Sequence, residues 1–284
     1  MNEKKRVLVT GHLGFIGQIA VRNLRAAGYD VLGMDISSDN TCNSVAVNLL
    51  DPAQIAKAMS AMPDFQVLIH MAALAHNQKP PAGYSLYDAN IKMTENIVSS
   101  VENRKPHIIF LSSVAVYGED GRPRIVCVDS APRPATAYGQ SKLESERIIL
   151  ASGSNNCDIL RAAPVYDEQH LEDVAKRVYF PAMRGVKMRL FPPPYYSLCH
   201  VNRLVGKILE CVSKGGSNRQ IMNVADPVPY SQHQLLEWFD GITIPFPVIC
   251  ASPLYLLAKM IPGSKGYAFR CLFSKLFVSN IYDV

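Results

Sequence analysis

Along the first 165 residues, short runs of aliphatic and β-branched side chains alternate with stretches whose apolar positions recur every three or four residues. The first kind reads as buried strand, the second as amphipathic helix. Strands are expected at 6–10, 30–34, 67–71 and 107–112, and helices at 17–27, 52–62 and 90–103. A helix at 138–151 and a strand at 158–161 follow. Alternation of this kind builds βαβ units, and those units stack into a parallel sheet with helices on its faces. Beyond this point proline becomes more frequent and the period weakens, although a helix at 202–213 and a strand at 220–224 resume the earlier style. The expected fold class is therefore α/β: a doubly wound parallel sheet with a smaller, discontinuous substrate-binding region. The sheet domain would comprise residues 1–165 and 201–225, and the substrate-binding region 166–200 and 226–284.

Composition narrows the class without changing the picture. At 284 residues, with 48% hydrophobic and 19% charged positions, the chain has ample material for a buried core, which excludes disorder as its main state. Its 29 basic and 24 acidic residues leave a net charge of only +5, so no specialised nucleic-acid binder is expected. The small excess suits an anionic small molecule and a plain solvated surface equally. Seven cysteines (Cys42, Cys127, Cys157, Cys199, Cys211, Cys250 and Cys271) are scattered and never two residues apart, so neither a metal site nor a disulfide framework is expected. After the charged start, Gly11 interrupts the apolar run from Val7, which reads as a first strand of a cytoplasmic protein rather than a signal peptide. The apolar stretch 242–261 contains Pro245, Pro247, Pro253 and Lys259 and is too interrupted to span a membrane. A packed helix and a surface anchor both stay open for it.

Two constellations carry candidate chemistry. Thr10-Gly11-His12-Leu13-Gly14-Phe15-Ile16-Gly17 leaves a strand and enters a helix, and its glycines would let a pyrophosphate approach the positive helix start. The second strand runs out at Asp35, eighteen residues beyond Gly17, where a carboxylate would accept hydrogen bonds from an adenosine ribose and repel a 2′-phosphate. No arginine follows in Ile36-Ser37-Ser38, so NAD is favoured over NADP. The other constellation is Ser113 with Tyr138 and Lys142, the last two four apart and so on one helix face. A phenol exchanges protons at neutral pH only if a nearby cation lowers its pKa, and Lys142 would be that cation. Ser113, at a strand end, would hydrogen-bond the same substrate oxygen. His12 and His76 lie in loops where either could touch a ligand, though a bland histidine is the commoner case, and neither is expected to bind metal.

Together these residues resemble the extended short-chain dehydrogenases/reductases, in the NAD-dependent epimerase/dehydratase branch that modifies nucleotide sugars and has the Rossmann fold. The resemblance rests on the glycine motif, Asp35, Asp51 after Asn48-Leu49-Leu50, His70-Met71-Ala72-Ala73, Asn90, Leu111-Ser112-Ser113-Val114-Ala115-Val116-Tyr117-Gly118, and Tyr138 with Lys142. It covers about the first 165 residues. It implies an NAD site made by Gly11, Gly14, Phe15, Ile16, Gly17, Asp35, Asp51, Ala72, Ala73, Asn90 and Lys142. Asp51 would lie near the adenine and Ala72 and Ala73 along the nicotinamide ribose and diphosphate. Tyr138 would be the catalytic acid/base, assisted by Lys142 and Ser113. A homodimer through the helices near 90–103 and 138–151 is also implied.

Departures from the family pattern bear on the reaction. Sugar 4,6-dehydratases of this family carry Thr-Asp-Glu where this chain has Ser113-Val114-Ala115, so the acid and base that remove water are missing. Pro164 stands where members usually have an asparagine, and Tyr196 where many have an arginine, which leaves the substrate site atypical. Arg184, Lys187 and Arg189, with His76, are the substitute candidates for substrate contacts. The resemblance implies 4-epimerisation of a nucleoside-diphosphate sugar: Tyr138 takes the 4-hydroxyl proton as hydride passes to NAD, and hydride returns to the other face. The same residues used in one direction would make an NADH-dependent 4-keto-6-deoxy-sugar reductase. A cofactor-holding binding or regulatory protein is the reading of another class.

Overall fold

The computed structural model describes residues 4–39, 42–75, 78–118, 124–153, 156–181, 183, 185–215, 219–251, 253, 256, 260–261 and 263–284. Its centre is a seven-stranded parallel sheet of β1 (Arg6–Thr10), β2 (Asp30–Asp35), β3 (Asn43–Ala46), β4 (Val67–His70), β5 (His107–Ser113), β7 (Cys157–Ala162) and β12 (Gln220–Val224). The short β6 (Arg124–Val126) lies outside it. Strand order is β12-β7-β5-β4-β1-β2-β3. Val7 pairs with Val31 on one side and Val67 on the other, so β1 sits where the order reverses. In such sheets ligands bind beyond the carboxyl ends of the strands at this reversal.

All four residues of β4 and all six of β7 are buried, as strands covered on both faces require. Helices α1 (Phe15–Ala26), α2 (Pro52–Ala61), α3 (Leu86–Ser100), α4 (Ala137–Ala151) and α6 (Val201–Lys214) accompany them. In α1 the buried set Gly17, Ala20, Val21 and Leu24 is a single stripe. Helix α3 starts four residues before the expected position 90, because Ser85 caps it: its hydroxyl accepts from the Asp88 amide at 3.1 Å. Strand β3 was not expected; it is four residues long and none is fully buried, so it lacks the apolar run that marks the others.

The chain divides into two compact units, the first Met1–Val116, Pro134–Ala162 and Val201–Met222, the second Tyr117–Arg133, Ala163–His200 and Asn223–Val284. In the second, two-residue strands β8 (Val165–Tyr166), β10 (Tyr195–Tyr196), β11 (Cys199–His200) and β13 (Tyr230–Ser231) mix with β9 (Val186–Phe191), β14 (Ile242–Pro247) and β15 (Asn280–Tyr282). Its short helices are α5 (Glu172–Ala175) and α7 (Gln232–Leu236), and α8 (Gly263–Phe277) is longer. The stretch opening at Ile242, open between packed helix and surface anchor, begins instead as strand: β14 pairs in parallel with β9 over six residues. Pro245 and Pro247 are tolerated because Ile242 donates its amide to Gly185 at 2.9 Å, so residues of the opposite parity have their amide positions facing away from β9. Among the described residues no helix is long and apolar enough to cross a membrane.

Candidate active site

Two glycines of the loop after β1 have no room for a side chain. A Cβ on Gly11, whose φ is +73°, would lie 2.7 Å from the Ala72 amide nitrogen, and one on Gly17 would lie 2.2 Å from the Gly11 carbonyl. The loop thus folds flat against the chain leaving β4, with Met71 and Ala72 beside it. Gly14 caps α1 without a side-chain acceptor, and the first turn, opened by Phe15 and Ile16, holds no acid. The positive end of the helix suits an anion there. Asp35 closes this edge: its carboxylate accepts from the Leu13 amide at 3.0 Å and the Ile36 amide at 2.8 Å.

Asp51 caps α2, accepting from Ala53 at 2.9 Å and Gln54 at 3.2 Å. Asn90 is a positioning residue. Its amide oxygen accepts from the Leu74 amide at 2.7 Å and its amide nitrogen donates to the Leu74 carbonyl at 3.1 Å, which fixes the turn carrying Ala72 and Ala73. The same nitrogen donates to Ser141 Oγ at 3.2 Å and so ties that turn to α4.

Helix α4 presents Tyr138 and Lys142. Its first turn presses onto the segment after β5, because a Cβ on Gly139 would lie 2.5 Å from the Ala115 carbonyl. Ser113, at the end of β5, accepts from the Ala115 amide at 3.2 Å, which leaves its own hydroxyl proton for another acceptor. Lys142 donates to the Leu111 carbonyl at 2.7 Å, and its ammonium lies 5.8 Å from the Tyr138 ring centre. Burial pulls the Lys142 pKa down to about 8, against the opposing pull of Glu146. It is a cation at neutral pH, placed to stabilise a neighbouring phenolate.

A buried polar layer supports this face. Glu146, one turn beyond Lys142, accepts from Arg161 Nε at 3.0 Å and Nη2 at 2.7 Å, and from the Ser112 hydroxyl. Thr10, His70, Thr94 and Ser145 form a second chain, in which His70 is pushed down to about 3, chiefly by burial and also by the Lys142 charge. Thr10, His70 and Ser112 stand in the sequence motifs, but their bonding to Thr94, Ser145 and Glu146 is not legible there, although the four-residue spacing that pairs Tyr138 with Lys142 continues to Glu146.

The candidate substrate residues fare differently. Arg184 and His76 lie outside the described residues. Lys187 is buried, its ammonium held by the Leu236 carbonyl at 3.1 Å and the Phe239 carbonyl at 2.7 Å, so it anchors the end of α7 rather than offering a charge to phosphate. Arg189 is exposed, its guanidinium 5.9 Å from the Phe191 ring centre. Tyr196 is a core residue whose hydroxyl donates to the Leu276 carbonyl and whose pKa burial raises. Pro164 accepts from the Cys199 amide at 3.0 Å.

Comparison with known proteins gives this geometry a context. The profile of the NAD dependent epimerase/dehydratase family matches residues 7–192. Methionine adenosyltransferase 2 subunit beta of Xenopus tropicalis is 30% identical over 182 residues, covering 62% of this chain and 52% of that protein. A UDP-glucose 4-epimerase of Schizosaccharomyces pombe is 33% identical over 166 residues, covering 50% and 45%. The chain spans about half the length of the curated relatives it matches. A solved short-chain dehydrogenase/reductase superfamily protein of Agrobacterium tumefaciens, with bound NAD, superposes with a TM-score of 0.71 at 20% identity, over 85% of this chain and 86% of that one.

Proposed function

Since the chain belongs to the NAD dependent epimerase/dehydratase family, we propose that it binds NAD and inverts the 4-hydroxyl of a nucleoside-diphosphate sugar. The observation that carries this reading is the buried Lys142 cation beside Tyr138, on a helix pressed against the strand end that holds Ser113.

The residues present fit the cofactor. The glycine loop lies where side chains would close it, α1 starts without cap or acid, and Asp35 borders the edge with acceptors for ribose hydroxyls. Gly11, Gly14, Phe15, Ile16, Gly17, Asp35, Ala72, Ala73 and Lys142 would hold it, with Asp51 toward the adenine and Asn90 fixing the turn. NAD bound there would supply the acceptor, and then the donor, of a hydride at the sugar carbon. Tyr138 takes the proton of the sugar hydroxyl and later returns it. Lys142 stabilises the phenolate through charge, and Ser113 donates its hydroxyl proton to the same sugar oxygen and holds it in line. The second unit, with Arg189, is the substrate-binding region in this reading. A cytoplasmic homodimer through α3 and α4 belongs to it as well, and sedimentation at twice the chain mass would bear on the dimer.

The similarity to a methionine adenosyltransferase subunit supports one second reading, a cofactor-holding subunit without turnover of its own. One experiment separates the outcomes. Purified protein is denatured and assayed for released NAD, and the native protein is offered a panel of nucleotide sugars and 4-keto sugars with and without NADH. Interconversion of 4-hydroxy epimers without NADH consumption supports the epimerase. Stoichiometric NADH loss on a 4-keto sugar makes it a reductase, and retained NAD with no turnover of any sugar favours the subunit. In titrations NAD(H) binds more tightly than NADP(H), because the Asp35 carboxylate repels a 2′-phosphate. Equal affinities would remove Asp35 from the cofactor site.

A further inference from the structure

We propose that His12, Asp39 and Cys42 form a site for a divalent metal of the borderline-soft kind typified by zinc, beside the glycine loop. Asp39 and Cys42 lie close together in the sequence and His12 far before them, and the fold gathers their ligand atoms within 4.8 Å of one another.

The first sign is His12. Its side chain is fully buried, yet neither Nδ1 nor Nε2 has a hydrogen-bond partner. A buried imidazole left so loses the free energy of its bonds to water with no return, which a native interior rarely tolerates. Each nitrogen instead faces a carboxylate beyond hydrogen-bond range: Nε2 is 3.6 Å from Asp39 Oδ1, and Nδ1 is 4.0 Å from Asp35 Oδ2. A metal ion accounts for the first gap, since bonds of about 2.0–2.3 Å in a tetrahedron hold ligand atoms about 3.3–3.8 Å apart without direct hydrogen bonds between them.

The cradle has a visible cause. Gly33 on β2 bears no side chain, and a Cβ there would lie 2.7 Å from Cys42 Sγ, 2.7 Å from His12 Cδ2 and 2.8 Å from His12 Nε2. Imidazole and sulfur therefore meet in the space a larger residue would fill. Asp39 is held to β3 by Ser44, whose hydroxyl donates to the Asp39 carbonyl at 2.8 Å and accepts from the Asp39 amide at 3.0 Å. A thiolate, a carboxylate and a neutral imidazole around a divalent ion sum to no net charge, which suits a half-buried position. The Cys42 thiol proton leaves on binding. Three protein ligands leave one coordination position for water.

The test uses the full chain, stripped with a chelator and titrated with cobalt(II), then with zinc(II). One equivalent of cobalt is expected to bind with visible bands of tetrahedral strength and a near-ultraviolet thiolate-to-metal band, both erased by one equivalent of zinc. His12 is packed in the interior, so the variants are placed at the partly exposed ligands. Cys42→Ser abolishes the thiolate band, and Cys42→Ser and Asp39→Asn each lower metal affinity by at least about a hundredfold, beyond the range lost with an outer partner. Cys250→Ser, at an exposed cysteine in the other unit, changes nothing. The proposal is overturned if the stripped protein takes up no stoichiometric metal at micromolar concentration, or if the thiolate band survives in Cys42→Ser. No sugar turnover or NAD binding enters the readout, so failure here leaves the proposed reaction standing.

Discussion

In the first unit the interior holds Lys142, Glu146, Arg161 and His70, none more than 4% exposed, while the second is centred on Tyr166, Tyr230 and Trp238 around Asp226. The charged set is fixed by direction: Glu146 meets Arg161 through two nearly parallel bonds, and Lys142 points at one carbonyl. The aromatic set is fixed by area, with Trp238 ring-to-ring distances of 5.3 Å to Tyr166 and 5.2 Å to Tyr230. A bond network positions side chains to within a fraction of an ångström and fails when one member is lost. Packed rings hold more loosely but survive the loss of a polar atom. Proton chemistry belongs in the first kind of surroundings, because an acid/base group needs a set distance and a set neighbouring charge.

Removing Glu146 attacks that difference hardest. Glu146→Ala strands the Arg161 guanidinium in the interior and is expected to cost about 3–5 kcal/mol in denaturant unfolding, the usual result of breaking a buried pair from one side. A loss below about 1 kcal/mol, the surface-pair range, would mean that water reaches Arg161 and that the charged layer is not sealed. Tyr138→Phe comes next. Turnover of the best substrate should fall at least about a hundredfold, near 2.7 kcal/mol of activation free energy, with cofactor retention and unfolding midpoint nearly unchanged. Near wild-type turnover would take the acid/base role from Tyr138. In the second unit, Tyr166→Phe removes a hydroxyl bonded to Asp226 at 3.0 Å and Tyr230 at 2.9 Å but keeps the ring, so a cost of about 1–2 kcal/mol is expected. A cost equal to that of Glu146→Ala would erase the contrast between the two interiors.

The smallest effect is a pH dependence with opposite signs in two readouts. Lys142 titrates at about 8 in the folded chain against an ordinary 10.5, so between those values the unfolded chain binds the proton the folded one has lost. Stability therefore rises with pH across that window. Activity falls there, because the cation that supports the Tyr138 phenolate is being discharged. Unfolding and turnover measured from pH 7 to 10.5 should diverge in this way, and Lys142→Met should flatten the stability rise. Parallel curves would mean that the limb belongs to another group. His70 acts at the other end: held near 3 against an ordinary 6.5, it withdraws stability as pH falls through that interval.

The same two interiors explain what could be read from the chain. Strands β1 and β12 fall at the expected residues: β1 carries the apolar run Val7-Leu8-Val9, and β12 carries Ile221, Met222 and Val224 between turn signals. The glycine loop and the Tyr138–Lys142 pair are local in sequence and equally legible. The early start of α3 rests on the cap made by Ser85 with the Asp88 amide, a local signal outside the periodic pattern that marks the helix from 90. Ser112, Glu146 and Arg161 meet only after β5, α4 and β7 are assembled, so no local period announces them. The second unit is harder still. Tyr196 pairs with Asn280 across 84 positions, in strands of two and three residues that are too short to show alternation. Lys187 reads as one of three neighbouring cations, and only the fold shows its ammonium held by the Leu236 and Phe239 carbonyls while Arg189, two residues further along β9, stays exposed.

The outer rim of β14 bears on how copies of this chain meet one another at high concentration. Ile242 and Ile244 are 72% and 42% exposed there, an apolar border of the kind that recruits a stray strand. Of the three backbone positions whose amides face away from β9, Pro245 and Pro247 have none to give, so only Thr243 can donate. An incoming strand would have to leave two of its carbonyls without a partner at every such join. The greasy border is thus a poor seed for fibrils, and a Pro245→Val, Pro247→Val double variant would hand it the missing donors.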